Sequence, residues 1–194
     1  MVLVIDTSSA MSALALIEGG TVLTETVAES GRVFDTGSVI AQLLGGRARK
    51  LSAVAIALGP GSFTGVRSGI SFGLGLAHGL QIPLLGLGTL ELVAARAQQA
   101  VTALSEAGRG RVYYLAPDGR TGVGGVTELP TAWPLAGWTR PATALGLLAG
   151  GHEILPEELL LSFATAAATL LDGAQRVAYD RVKPAYMSPF GGLA

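Results

Sequence analysis

At 194 residues the chain is long enough for one large domain or for two smaller lobes that share a core. Its 49% hydrophobic and 14% charged residues make it unusually apolar beside soluble chains, whose charged share is typically about 25%, and imply an apolar surface patch suited to a partner. A formal net charge of -1, with 13 scattered Lys and Arg, excludes the footprint of an autonomous nucleic-acid binder, and the absence of cysteine excludes disulfides, thiolate nucleophiles and Cys-based zinc sites.

The chain opens on Met-Val-Leu-Val-Ile-Asp, which has no basic leader and reads as a first strand, Val2 to Asp6, rather than a signal peptide. After the polar turn Thr7-Ser8-Ser9, strands over Met11 to Glu18 and Val22 to Val27 are joined by the hairpin signal Gly19-Gly20. Asp35 to Leu44 carries Val39, Ile40, Leu43 and Leu44 at helical spacing and stops at Gly45-Gly46. Ala53 to Leu58 is an unbroken apolar run of the kind that forms a central strand covered on both faces.

A glycine-rich loop, Gly59 to Gly65, leads into a helix over Thr64 to His78, followed by a buried strand at Ile82 to Leu87 and a helix over Thr89 to Gln99 that opens on the capping signal Thr89 and Glu91. Ser68 to Leu90 lacks acidic and basic residues, but its six glycines and Pro83 divide it into helix, turn and strand rather than one membrane span. This order of elements predicts an α/β fold of the ribonuclease-H-like, actin and sugar-kinase type.

A second, reduced lobe of the same kind is expected from residue 101 onward, giving domains 1–100 and 101–194. Its strands are predicted at Val101 to Glu106 and Arg111 to Ala116, with a hairpin signal at Pro117-Asp118-Gly119. Pro130, Pro134 and Pro141 break the following segment, and one apolar helix is predicted over Pro156 to Leu171 with proline in its first turn.

Three features could carry chemistry. The loop Gly59-Pro60-Gly61-Ser62-Phe63-Thr64-Gly65 joins a strand to a helix N-terminus, where backbone N–H groups can hold an anion, yet no lysine follows at the Walker position, and a tight strand-to-helix turn needing positive φ at its glycines is the favoured reading. Gly65, Gly69 and Gly73 then lie along one face of the helix, with Ser71, Gly75 and Gly79 forming a second small-residue row. Each mid-helix glycine costs about 0.5 to 1 kcal/mol relative to alanine, so a close neighbour is implied: the chain's own sheet or another subunit's helix. Asp6-Thr7-Ser8 fits either a magnesium and phosphate contact or a local turn. His78 and His152 make neither an HxxxH nor an HExxH spacing, and Ser62 has no GxSxG setting, so neither a metal site nor a serine nucleophile is expected.

The run GPGSFTGVRSGISFGLGLAHGL, with VIDTSSAMSALAL before it and IPLLGLGTLELVA after it, resembles the signature of the bacterial TsaB (YeaZ) family. Glu106-Ala107-Gly108-Arg109-Gly110-Arg111-Val112-Tyr113 resembles that family's DARRGEVY segment, and Lys183-Pro184-Ala185-Tyr186 its terminal PxYLR, with Met187 and Ser188 in place of Leu and Arg. Phe34-Asp35 stands where many relatives carry His-Ser.

The resemblance implies two actin-like lobes in a cytoplasmic, non-catalytic subunit of the machinery that makes threonylcarbamoyladenosine in tRNA. It implies a catalytic TsaD-like partner, a TsaE-like ATPase in the assembly, and homodimers when the chain is alone. No cofactor is expected in the isolated chain, and any nucleotide would sit at a partner interface. Contact would run through the helices Asp35 to Leu44 and Thr64 to Gly79, which tips the glycine stripe toward an intermolecular role and singles out Val39, Leu43, Gly65, Gly69, Ile70, Gly73 and Leu74. On this reading a bulky residue at Gly69 or Gly73 would abolish pairing and leave the chain folded. The rival reading is a small ATP-dependent phosphotransferase with Asp6 and Thr7 near metal and phosphate; a peptidase has no visible nucleophile or metal ligands.

Overall fold

A computed structural model of the chain describes residues 1–30 and 35–185. Phe34, Tyr186, Met187 and Ser188, named above, lie outside the described residues. The first sheet is built on β1 (Val2–Asp6), β2 (Met11–Glu18) and β3 (Thr21–Glu29), an antiparallel meander, with β4 (Ala53–Ala57) and β5 (Leu84–Leu87) added in parallel beside β1. The second has β6 (Thr102–Gly108), β7 (Arg111–Leu115), β8 (Thr121–Gly124) and β9 (Leu135–Ala136). β10 (Gln175–Val177) returns to the first sheet and pairs with β5, giving the orders β10-β5-β4-β1-β2-β3 and β8-β7-β6-β9.

Pairing in the second sheet repeats that of the first. β6 is antiparallel to β7 and parallel to β9, as β1 is to β2 and β4, and a single parallel bridge from Leu135 to Ile154 stands where a fifth strand would lie. The chain is therefore two ribonuclease-H-like lobes, the second reduced.

Side-chain alternation along the strands sorts the core into layers. Leu3, Ile5, Val54 and Ile56 point to one face of the first sheet, under α1 (Thr36–Leu44) and α2 (Phe63–Leu80). Val4, Ala55 and Ala57 point to the other, against α3 (Thr89–Arg96) and α5 (Phe163–Leu171). Leu90 and Val93 of α3 turn their opposite side to Ala103 and Ala136 of the second sheet, whose far face carries Leu104 and Val112 under Leu147 of α4 (Pro141–Ala149). The layers thus run helix pair, sheet, helix pair, sheet, helix.

A division at residue 100 follows the order of the sheets in sequence but not their packing, because α5 and β10 join the first sheet and α3 serves both. Arg96, 3% exposed at the end of α3, ties this middle layer. Its Nε donates to the Leu161 carbonyl at 2.9 Å, its Nη2 pairs with Glu157, and its guanidinium lies 4.4 Å over the Trp138 ring. Trp138 in turn donates from Nε1 to Glu157 at 3.2 Å.

That cluster explains why the helix expected over Pro156 to Leu171 starts late. Leu161 donates its N–H to the Arg96 carbonyl at 2.7 Å, and Leu160 bridges Ala97, so this stretch is extended after a short 3-10 turn at Glu157–Leu159. Ser162 then caps α5 by accepting from Thr165 N–H at 3.2 Å. The same pairing ends α3 at Arg96, short of Gln99. Gly88, not Thr89, is the N-cap of α3, and Pro141 is no breaker but the first residue of α4.

Replacing Arg96 by alanine should lower stability by about 2 to 3 kcal/mol, the combined scale of a lost charge-assisted hydrogen bond and a desolvated cation–π contact. Lysine should not restore it, lacking the planar fork. Urea denaturation of the three proteins measures both outcomes.

Candidate functional site

The glycine loop is seated on the turn between β1 and β2. Ser62 N–H donates to the Ser8 carbonyl at 2.6 Å, and the Thr7 hydroxyl donates to the Gly65 carbonyl at 2.7 Å. A Cβ on Gly61 would run into the Ser8 carbonyl oxygen, and one on Gly65 into that of Thr7. Gly59 holds φ at +100°, reserved for glycine, and its carbonyl accepts from Thr89 N–H at 3.0 Å. The loop's glycines are thus consumed by backbone against backbone, with Ser62 capping α2 through Gly65 N–H at 3.3 Å.

The stripe that follows continues inward. A Cβ on Gly69 would lie 2.7 Å from Thr7 Oγ1, and one on Gly73 would collide with the Ile56 side chain. Gly69, Gly73 and Ile70 are buried, and Gly65, Val39, Leu43 and Leu74 are half-buried against the first core. The close neighbour of the stripe is therefore the chain's own sheet, so a bulky residue at Gly69 or Gly73 would attack the fold itself.

What α1 and α2 present outward is the second row. Ser71, Gly75 and Gly79 are exposed, and a Cβ at Gly75 or Gly79 would meet nothing within 4 Å. Phe72, 41% exposed, flanks the row and lies over Gly37 of α1, while Phe63, 58% exposed, is covered on one side by the Arg67 guanidinium at 3.7 Å. Phe72 beside a groove without side chains makes an apolar face of the kind another helix fills, whereas Phe63, at the start of α2, lines a hollow shared with Glu106, Tyr113 and Arg140. The sequence showed the small row, but nothing in its spacing told Phe63 and Phe72 from core residues.

Beside the first turns of α1 and α2 a cleft of about 810 Å³ opens between the lobes, lined by Thr7, Ser62, Thr64 and Ser68 from the first and by Glu106, Thr139 and Arg140 from the second. Asp6 does not line it. That side chain is 3% exposed, and its Oδ1 accepts both the N–H and the hydroxyl of Ser8, at 2.8 and 2.6 Å, while Ser8 Oγ also meets Thr89 Oγ1 at 2.9 Å. Burial raises the Asp6 pKa, with the two Ser8 hydrogen bonds opposing.

Three helix N-termini border the cleft, and those of α1 and α2 carry side-chain caps. Asp35 accepts from Gly37 and Ser38 N–H on α1, and the Ser38 hydroxyl, with these amides, draws its pKa below the usual carboxylate range. Ser62 caps α2, and Glu106 Oε1 accepts the Arg140 N–H at the start of α4, at 2.7 Å. Phosphate binding at a helix N-terminus needs uncommitted amides and a favourable field. Here Asp35 takes two amides at the start of α1 and Ser62 takes the Gly65 amide of α2, while α4 has no side-chain cap and the N–H of its N-cap residue goes to Glu106. Neither Asp6 nor the loop supplies what the phosphotransferase reading requires. His78 packs edge-on to Tyr179, and His152 Nε2 lies 2.8 Å from the Val126 carbonyl in the other lobe.

Residues 38–132 match the model of the family described as TsaD: tRNA N6-adenosine threonylcarbamoyltransferase. The tRNA threonylcarbamoyladenosine biosynthesis protein TsaB of Bacillus subtilis (strain 168) is 32% identical over 120 residues, 58% of this chain and 52% of that protein. Its namesake from Escherichia coli (strain K12) is 34% identical over 122 residues, 58% and 53%. The chain thus spans about half the length of the curated relatives it matches. Among solved structures, YeaZ from Pseudomonas aeruginosa superposes with a TM-score of 0.74 at 23% identity, over 96% of this chain and 99% of that one. A protein with similarity to peptidase YEAZ from the same organism gives 0.72 at 24%, again over 96% and 99%.

The two glycine rows should respond oppositely. Gly73→Val should cost about 2 kcal/mol or more through overpacking against Ile56, whereas Gly75→Ala should gain up to about 1 kcal/mol of helix propensity. Thermal and urea unfolding decide the signs. For Asp6, a carboxyl whose folded pKa lies above its unfolded one makes folding less favourable as pH rises through the window that starts at about 4. Asp6→Asn, which retains an acceptor for Ser8, should therefore be more stable than the parent at pH 7 and show a flatter stability profile from pH 4 upward in urea melts.

Proposed function

We propose that the chain is a member of the TsaB (YeaZ) family, a reading its likeness to the two curated TsaB proteins supports, and that it is a non-catalytic subunit of a cytoplasmic threonylcarbamoyladenosine-forming complex, binding a TsaD-like catalytic subunit. A TsaE-like ATPase completes the assembly, and tRNA is held by the complex rather than by this chain alone. In isolation the chain pairs with itself through the same face.

The observation that carries this reading is the outward face of α1 and α2, where Phe72 stands exposed beside the open row Ser71, Gly75 and Gly79. A helix of a partner can approach the α2 backbone closely along that row, with the Phe72 ring as an apolar anchor. The inward commitment of Asp6 supports a scaffold over a phosphotransferase, and the scattered basic residues fit a chain that does not hold tRNA alone. Among the described residues no helix is long and apolar enough to cross a membrane.

Gly75→Trp fills the row from a position where an added Cβ meets nothing within 4 Å. It should leave circular dichroism and thermal midpoint near those of the parent while weakening association with a TsaD-type protein at least about tenfold, or 1.4 kcal/mol, in sedimentation velocity. Unchanged association would overturn the assignment of this face. Titration of the isolated chain with Mg-ATP should give no heat, and a saturable isotherm would favour the phosphotransferase instead.

A further inference from the structure

Charge is distributed unevenly around the outward face of α1 and α2. Residues 36–90 hold four of the 13 Lys and Arg and none of the 14 Asp and Glu, so they carry +4 in a chain whose net charge is -1. The bases are no denser there than elsewhere; it is the acids that are missing. Because β4 within this segment is buried, the charges lie on α2 and on the turn that follows α1, and all four side chains are on exposed residues.

The four bases stand at the two ends of the open row. Arg67 heads it, since Arg67, Ser71, Gly75 and Gly79 follow one another at four-residue spacing and all are exposed. Arg47 closes the other end of the helix pair, where its Nε and Nη2 donate to the Leu44 and Leu43 carbonyls at 3.0 and 3.1 Å, a place that the helix dipole favours for a cation. Arg49 and Lys50 come directly after it. α1 leads into β4 and α2 into β5, and these strands are parallel neighbours, so both helices finish at the same end of the first sheet. The acids on adjoining elements are already matched. Asp35 accepts from Gly37 and Ser38 N–H, Glu18 lies 3.7 Å from the Met1 ammonium, and Asp180 is followed in sequence by Arg181 and Lys183.

Two copies of the chain joined across a two-fold axis would present the same patch to each other, so each brings the same excess of bases. Like charges within about 8 Å of one another repel at physiological ionic strength, and such juxtaposition is a common means of rejecting a wrong partner. A surface with acids around its apolar seam meets the same bases as complements. We infer that the face of α1 and α2 takes an apolar helix surface rimmed by acidic residues, and that charge sets its preference for such a partner over a second copy of this chain. The inference rests on the reading of this face as the contact surface.

A charge-swapped copy of the chain, carrying Arg49→Glu, Lys50→Glu and Arg67→Glu, serves as the acidic partner. Sedimentation velocity with a fluorescent label on the parent compares parent with parent and parent with swapped copy at about 50 and about 500 mM NaCl, between which the Debye length falls from roughly 14 to roughly 4 Å. Self-association of the parent should tighten at least about threefold at the higher salt. The mixed pair should be at least about tenfold tighter than the parent pair at the lower salt, and should weaken as salt rises. Thermal melts establish that the variants are folded. Lys50→Glu alone, at an exposed side chain with no hydrogen bond or ion pair among the described residues, should move both affinities in the same directions. A mixed pair no tighter than the parent pair, or parent pairing that salt weakens or leaves unchanged, would overturn the inference. Gly75→Trp in the parent separates it from the reading beneath it: a mixed pair that survives this change refutes the face itself, whereas one that it abolishes but charge does not affect refutes the charge preference alone.

Discussion

The carbonyl oxygens of Thr7 and Ser8 fix the arrangement of everything around them. Both belong to the turn that ends β1, and both are approached so closely by the Cα atoms of Gly65 and Gly61 that no side chain could stand between. Hydrogen bonds from Ser62 N–H and the Thr7 hydroxyl lock the loop in place. Because α2 starts from this loop, its rotation about its own axis is set at the first turn. Gly69 and Gly73 must then face Thr7 and Ile56, and Ser71, Gly75 and Gly79 must face out. One backbone contact thereby decides which glycines stabilise the core and which remain for a partner.

A second constraint acts from the other side of the first sheet. α3 and α5 form a layer shared by both lobes, and the ion pair, hydrogen bonds and ring contact around Arg96 fix the chain where it passes between them. Glu25 adds to this by accepting the Ala164 N–H in the first turn of α5, at 2.5 Å. β10 closes the arrangement by pairing with β5. Hinged lobes need few elements crossing between them; here a helix pair, a strand and a buried guanidinium cross.

The sequence was most informative where one physical effect dominated. β1, β2 and β4 were legible because apolar residues alternate or run unbroken between polar stops, and α1 because Asp35 and Gly45 mark its ends. The same local signals failed where a distant residue decided the outcome. Leu160 and Leu161 look helical, but Arg96 offers an extended pairing that only tertiary structure reveals. Pro141 looks like a break until its place at the start of α4 makes the missing N–H harmless. The stripe Gly65, Gly69 and Gly73 announced a close neighbour correctly without saying which, since own sheet and foreign helix impose the same spacing. Phe63 and Phe72 carried no sign of exposure at all.

This ambiguity bears on how function is lodged in the molecule. A ribonuclease-H-like pair of lobes offers a cleft and, in its first lobe, a helix pair. In this chain the glycines of the loop that could cradle phosphate are spent on holding β1 to α2, and the acid at the end of β1 is turned inward onto Ser8. Ser71, Gly75 and Gly79 lie on α2 beyond Thr64 and Ser68, which line the cleft, so the open row and the cleft both take their positions from the same helix. Both therefore depend on the loop remaining seated on Thr7 and Ser8.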